Sequence, residues 1–159
     1  MNAPAGFEEI VAAYGDIRKF IRDDGTVSPI WESRMVVVQF PTPVPLGWDK
    51  SRLAKGARVN VALADDLDRA LRLVEREGLW PRVRTFDGAY AFRAQRGSST
   101  KTSMHSFGAA LDLNAETNQL GTPGDMDAGL VQLFEACGWT WGGRWKRSDP
   151  MHFQFGSGY

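Results

Sequence analysis

The sequence has little of three features that would point to particular classes of protein: cysteine, net charge and long hydrophobic runs. Its 159 residues include one cysteine, Cys137, which excludes an intramolecular disulfide and any CxxC metal or redox motif. Nineteen basic residues balance nineteen acidic ones, so the chain lacks the overall positive charge that draws proteins to nucleic acid or anionic membranes. No apolar run approaches the roughly 20 residues of a membrane-spanning helix, so we expect no membrane insertion.

The first residues also lack the features of an export signal. The apolar stretch 10–13 is too short for a signal core, and Glu8 and Glu9 stand where a signal carries basic residues. We therefore expect synthesis in the cytoplasm. If the protein acts outside that compartment, another component must release it.

The remaining composition is that of an ordinary folded protein. Hydrophobic residues make up 43% of the chain and charged residues 24%, which disfavours disorder and fibrous repeats. The length predicts one domain over residues 1–159, and nothing in the sequence indicates more than a monomer.

Hydrophobic spacing predicts a mixture of helices and strands. Helices are predicted over 7–14, over 60–78, and from Asp125 or Asp127 to Gly138. Strands are predicted over 35–40, where Pro41, Pro43 and Pro45 begin a rigid loop, and over 82–86.

The two histidines stand in or beside segments with strand-like alternation. In the segment from Ala109, Leu111 and Leu113 share one side and Asp112 faces the other. Near the end of the chain, Met151, Phe153 and Phe155 share one side, and His152 and Gln154 face the other. If the two strands pair, Asp112 and His152 converge, and His105 joins them from the preceding turn.

Two histidines and one aspartate form a common set of zinc ligands. Three protein ligands leave a fourth position for water, and Asp149, held extended before Pro150, could reach that water as a general base. The spacing is also compatible with purely structural roles: either histidine can be a surface or hydrogen-bonded residue, and Asp149-Pro150 can be an ordinary turn. The two-histidine, one-carboxylate site of iron oxygenases fits less well, because six residues separate His105 from Asp112 and the chain has at least two strong helices.

Two motifs in this order resemble the M15 zinc peptidases, which include D-alanyl-D-alanine carboxypeptidases and phage L-alanyl-D-glutamate endopeptidases. The first is Ser103-x-His105-x-x-Gly108-x-Ala110-x-Asp112. The second is Trp139-x-Trp141-Gly142-Gly143-x-Trp145, followed by Asp149-Pro150-Met151-His152-Phe153. Together they cover roughly residues 80 to 155, and the first sixty residues match only loosely.

The resemblance implies a role for each matching residue. His105, Asp112 and His152 would hold one zinc ion, and Asp149 would be the catalytic base. Arg93 would bind substrate and stabilise the developing oxyanion, with Arg96 as the competing arginine. Ser103 would hydrogen-bond near the first ligand or the substrate, although it can also simply form a turn.

Other positions in the motifs leave structural questions open. Gln154 stands where relatives often carry glutamate, which puts the charge around His152 in doubt. Gly108 and Ala110 are expected to be small because backbone or a ligand passes close. The tryptophans of the second motif either line the cleft or pack the core.

The implied fold is α+β, like that of the hedgehog and D,D-peptidase domains: a small antiparallel sheet of about four strands with helices on one side.

The implied substrate is a peptidoglycan stem peptide. The excess of basic residues over residues 82–101 agrees with a carboxylate-bearing substrate. The absence of an export signal favours a phage or prophage endolysin that cuts between L-alanine and D-glutamate and reaches the cell wall after release. A D,D-carboxypeptidase is the alternative. A hedgehog-like binding module is a non-enzymatic alternative, against which the retained Asp149 argues.

Overall fold

A six-stranded sheet organises the part of the chain that the computed structural model describes, residues 2–93 and 102–158. Its strands are β1 (Met35–Leu46), β2 (Asp49–Asn60), β3 (Phe86–Gly88), β4 (Ala110–Leu113), β5 (Thr140–Trp141) and β6 (His152–Gln154). The helices of the described residues are α1 (Gly6–Tyr14), α2 (Pro29–Glu32), α3 (Ala64–Arg76) and α4 (Ala128–Ala136). None of these helices combines the length and the apolar character needed to cross a bilayer.

The sheet has the order β2-β1-β3-β4-β6-β5. Strand β1 is parallel to β3 at Leu46 and Phe86, and the other neighbouring strands are antiparallel. The prediction of an α+β fold is confirmed. The prediction of about four antiparallel strands is wrong, because the sheet has six strands and is mixed.

Strand β1 continues through the three prolines that were predicted to begin a loop. Its pairing with β2 is interrupted between Gln39 and Val44, and its pairing with β3 is confined to its last residue. A proline lacks the N–H that a residue in a central strand donates to its neighbour. Its absence destabilises the sheet little where the hydrogen bonds between strands are already interrupted or where one side of the strand is unpaired. Pro41 and Pro43 lie in that interrupted stretch.

The three predicted helices form, with small shifts at their ends. Gly15, at φ 96°, follows α1, and a short 3₁₀ turn over Val61–Leu63 precedes α3. The Asp127 side chain accepts a hydrogen bond from the Leu130 N–H and so caps α4. The strand predicted over 82–86 is wrong: Trp80–Arg82 is a 3₁₀ turn, and β3 begins only at Phe86.

The core joins the N-terminal helix to the C-terminal strands. Ile10 and Tyr14 of α1 are buried, and the Tyr14 hydroxyl donates a 2.7 Å hydrogen bond to the carbonyl of Phe155, just after β6. Burial, with a smaller effect of Asp66, raises the pKa of this phenol, so it stays protonated and keeps donating. Helix α1 thereby stabilises the end of the strand that carries His152.

Candidate metal and catalytic site

The centre of the site lies on two paired strands. Asp112 of β4 is directly opposite His152 of β6 in an antiparallel register. Residues directly opposite in such a ladder point to the same face of the sheet. The pairing predicted from alternation is therefore present, and it places the two side chains together.

His105 reaches the same place from a 3₁₀ turn over Met104–Phe107 that leads into β4. The Ser103 hydroxyl accepts from the backbone N–H of His105 at 3.3 Å, which fixes the start of the turn. Gly108 ends the turn in a left-handed conformation, φ 68°, where a Cβ would lie 2.6 Å from the Asn60 nitrogen. The expectation that backbone passes close to Gly108 is confirmed.

Three potential ligand atoms meet in a buried cluster. Asp112 Oδ1 lies 2.9 Å from His152 Nδ1 and 3.1 Å from His105 Nε2, and the two imidazole nitrogens are 3.2 Å apart. All three residues are buried. Ligands of a tetrahedral zinc ion at about 2.0–2.1 Å would be separated by about 3.3 Å, close to these distances.

The outer nitrogen of each ring identifies which atoms can bind a cation. His105 Nδ1 lies 2.5 Å from the carbonyl oxygen of Ala89, which can only accept, so Nδ1 carries the proton. Gln154 Nε2 donates to the Gly156 carbonyl at 2.9 Å, which turns its Oε1 toward His152 Nε2 at 3.0 Å. His152 Nε2 therefore also donates outward. Both inner nitrogens then present lone pairs to the Asp112 carboxylate.

A cluster of three acceptors needs a cation at its centre, and the donor set suits zinc. Two neutral imidazoles and one carboxylate are borderline-soft ligands of the kind zinc prefers, and each ring is oriented by an outer acceptor. Burial tends to raise the pKa of the Asp112 carboxyl, but the adjacent rings of His105 and His152 hold that pKa well below its usual range. The carboxyl is therefore ionised and available as a ligand.

Asp149 lies at the edge of this cluster in a tight turn. The His152 N–H donates to the Asp149 carbonyl at 3.0 Å, and the Asp149 N–H donates to the Gly142 carbonyl at 2.9 Å. A Cβ on Gly142 would lie 2.6 Å from the Asp149 carbonyl oxygen, so the second motif needs glycine here. Asp149 is half-buried and lines the same cleft as His152.

Arg93, which follows β3 in the chain, lies beside Asp112 of the cluster. Its Nη2 lies 3.9 Å from Asp112 Oδ2, and its side chain is half-buried. The fully buried Ser106 holds the Arg93 backbone: its hydroxyl accepts from the Arg93 N–H and lies 2.8 Å from the Arg93 carbonyl. Ser106 could not be predicted from the sequence, because a serine in a turn carries no distinctive signal.

A cleft of about 370 Å³ opens over the site. The residues that line it are Arg93, Thr102, Ser103, Met104, Leu120, Trp145, Lys146, Arg147, Asp149, His152 and Gln154. Ser103 thus caps the His105 turn and also faces the cleft. Arg96 lies outside the described residues.

The three tryptophans of the second motif have different positions. Trp139 is buried and packs edge-on against Phe134 and Phe155 in the core. Trp141 donates from Nε1 to the Pro150 carbonyl at 2.8 Å, which holds the segment between Asp149 and His152. Trp145 lines the cleft with its ring 5.4 Å from the His152 ring.

The basic residues of the stretch 82–101 are only partly directed to the cleft. Arg82 forms an ion pair with Asp127, and Arg84 forms one with Asp125. Neither arginine lines the cleft. Of the described members, Arg93 lines the cleft. The further cationic lining comes from Lys146 and Arg147, which were not predicted from the sequence.

Comparison with known families agrees with this geometry. The sequence model of a family described as D-alanyl-D-alanine carboxypeptidase matches residues 96–155, the segment that contains the three cluster residues and Asp149. No curated protein matches the chain at a significant level. The family match confirms the resemblance found in the two motifs and supports an M15-family peptidase, a hydrolase that acts on peptidoglycan.

Proposed function

We propose that the protein is a zinc-dependent peptidase that hydrolyses an amide bond in the stem peptide of peptidoglycan. The observation that carries the proposal is the buried cluster of His105, Asp112 and His152, whose acceptor atoms face one another beside Asp149. A binding module has no need of a carboxylate that lines the cleft next to a metal site. This favours an enzyme over a hedgehog-like binding domain.

The three cluster residues, Asp149 and Arg93 each have a defined role in the proposed mechanism. His105 Nε2, Asp112 Oδ1 and His152 Nδ1 would hold zinc, which when bound supplies Lewis-acid polarisation and acidifies water. The Asp149 carboxylate takes a proton from the attacking water and later delivers it to the leaving amine. The Arg93 guanidinium donates hydrogen bonds to the carbonyl oxygen of the scissile bond as negative charge develops there.

The shape of the cleft favours cleavage within a peptide. Lys146 and Arg147 line the cleft and also line an adjoining groove with Gly121, Thr122, Pro123, Gly143 and Ser148. A substrate can therefore extend past the site instead of ending in it. We propose that the protein cuts between L-alanine and D-glutamate, as a phage or prophage endolysin made in the cytoplasm and released to the wall.

A D-alanyl-D-alanine carboxypeptidase is the second candidate, because the family that matches residues 96–155 carries that description. Such an enzyme removes a single residue and needs little space beyond the scissile bond. The two candidates share the metal site and Asp149, so only the product distinguishes them.

The test is mass spectrometry of purified peptidoglycan digested with zinc-loaded protein, alongside a chelator-treated sample and the D149N variant. We expect new N-terminal D-glutamate in the wild-type digest and in neither control. Loss of terminal D-alanine alone would replace the endopeptidase by the carboxypeptidase. The absence of a metal-dependent product from several wall types would contradict the proposal and favour a binding module.

A further inference from the structure

Two cations at the mouth of the cleft have no acidic partner within residues 2–93 and 102–158. Lys146 and Arg147 are exposed, and neither forms an ion pair with any residue in the described ranges. Other arginines behave differently: Arg58, Arg84 and Arg144 each contact a carboxylate at 2.6–2.8 Å. Both side chains lie where the cleft meets the adjoining groove.

The loop that carries these cations is held at both ends. On one side, Arg144 forms two hydrogen bonds to Glu135 of α4, at 2.7 and 2.8 Å. On the other side, the Ser148 carbonyl accepts from the Gly121 N–H at 2.6 Å, and the next residue is tied to Gly142. Lys146 and Arg147 therefore form the tip of a short anchored loop between Trp145, whose ring lies against His152, and Asp149.

The charge around the cleft favours an anionic ligand. Of the charged side chains that line it outside the metal cluster, three are cationic and Asp149 is the one acid in the described set. The adjoining groove has Lys146 and Arg147 and no described acid. An arginine fork beside a lysine ammonium is well suited to a carboxylate, because the fork binds two oxygens and the ammonium adds a mobile charge.

The two candidate substrates carry a carboxylate in the same place. In an L-alanyl-D-glutamate bond, the glutamate is linked onward through its side chain, so its α-carboxylate is free. In a D-alanyl-D-alanine terminus, the last residue also has a free α-carboxylate. In both cases the carboxylate is attached to the carbon that bears the leaving nitrogen.

We propose that Lys146 and Arg147 form a subsite for this carboxylate and so determine specificity for a stem peptide with a free acid next to the scissile bond. The inference rests on the proposed function, since it assigns a part of the substrate to the same cleft. Arg93 binds the oxygen of the scissile carbonyl, and Lys146 and Arg147 bind the carboxylate of the residue that carries the leaving nitrogen. A peptide whose acid is converted to an amide loses this interaction.

The experiment compares peptide pairs that differ only in acid or amide at that position: L-Ala-γ-D-Glu-L-Lys against its D-isoglutamine form, and a D-Ala-D-Ala peptide against its C-terminal amide. Binding to chelator-treated protein is measured by calorimetry, and hydrolysis by the zinc-loaded protein is measured in parallel. The variants are the K146Q/R147Q double substitution and a matched double substitution, R52Q/K55Q, of exposed cations on β2.

For at least one pair, wild type and R52Q/K55Q are expected to bind the acid about tenfold more tightly than the amide. In K146Q/R147Q the ratio of the affinities for the acid and the amide peptide falls toward one. Hydrolysis of the acid peptide by this variant is slower mainly because KM is higher. An unchanged ratio in K146Q/R147Q, or no acid preference in wild type, overturns the subsite. If the preference is present and lost as expected but no peptide is cleaved, the subsite stands and the proposed hydrolysis fails.

Discussion

The outer hydrogen bonds of the two histidines decide what the cluster can bind. The Ala89 carbonyl and the Gln154 amide oxygen each accept a ring proton, so both inner nitrogens are free to bind metal. Glutamine at position 154 does this without adding a charge. Glutamine therefore replaces the glutamate that relatives often carry here without loss of the acceptor: its amide oxygen orients the His152 ring as a carboxylate oxygen would.

Removal of this acceptor should weaken metal binding. We expect Gln154→Leu to bind zinc about tenfold more weakly than wild type, because His152 loses the partner that fixes its tautomer. Gln154→Glu should restore tight binding, since a carboxylate accepts the same proton. Competition with a chromophoric chelator measures both affinities, and equal affinity in the leucine variant and wild type would show that this hydrogen bond does not orient the ligand.

Arg93 should act on turnover and leave the metal in place. We expect Arg93→Gln to lower kcat by about a hundredfold, because the guanidinium stabilises charge that develops on the substrate carbonyl in the transition state. Zinc content should stay at the wild-type level. Steady-state kinetics with metal analysis checks both quantities, and a change confined to KM would make Arg93 a binding residue only.

At the scale of elements, the first histidine depends on the close packing of its turn against β1 and β2. Gly108 has no side chain to separate it from these strands, and its carbonyl accepts from the Asn60 N–H at 2.9 Å. A Cβ there would also lie 2.6 Å from the Met35 sulfur. The turn can hold His105 in place only while this position stays glycine.

Gly78 offers a matched control, because its φ of 70° is nearly that of Gly108 and a Cβ added to it would meet nothing within 4 Å. Gly78→Ala should cost about 1 kcal/mol in the free energy of unfolding, from backbone strain alone. Gly108→Ala should cost about 3 kcal/mol, because steric overlap is added to the same strain. Chemical denaturation measures both, and equal costs would contradict the close contact.

The elements that the sequence predicted are those with a strong apolar periodicity. Helix α3 has Leu67, Leu71 and Val74 on a buried face, and β4 and β6 alternate around Leu111 and Phe153. Strand β2 was missed because it is a charged edge strand: Lys50, Arg52 and Lys55 are exposed, and Leu53 is 57% exposed. Such an edge resists aggregation but shows no hydrophobic alternation.

The candidate site could be predicted only where side chains carry the signal. His105, Asp112, His152 and Asp149 were found because their residue types and alternation are distinctive. The Ala89 carbonyl could not be found, because a backbone acceptor leaves no trace in the sequence. Lys146 and Arg147 were missed because only the folded loop shows that they have no described acidic partner.

At the scale of the whole molecule, a surface network ties the approach to α4 to the segment before β3. Asp125 accepts hydrogen bonds from Arg84, Thr117 and Asn118. These contacts, led by the Arg84 hydrogen bond, lower the pKa of the Asp125 carboxyl to about 2. Because this pKa lies below its value of about 3.9 in the unfolded chain, the network stabilises the fold above that value, and the contribution is lost as the pH falls toward 2.

This network predicts a pH-dependent difference between wild type and Asp125→Asn. The variant should melt at a lower temperature than wild type above about pH 4, and the gap should close as the pH falls toward about 2. Calorimetry across this range measures the gap. Asp23→Asn, at an exposed aspartate with no described hydrogen bond, is the matched control for the loss of one surface charge. A gap for Asp125→Asn that stays constant with pH would show that its ionisation does not contribute.

Zinc content and peptidoglycan hydrolysis, measured together on the same preparations of wild type, H105A and D149N, test the central claim most directly. Wild type should hold one zinc and cleave, D149N should hold one zinc with activity lowered at least about a hundredfold, and H105A should hold none. Far-ultraviolet circular dichroism verifies that each variant is folded. Zinc retained by folded H105A, or wild-type turnover by D149N, would contradict the assignment of ligand and base.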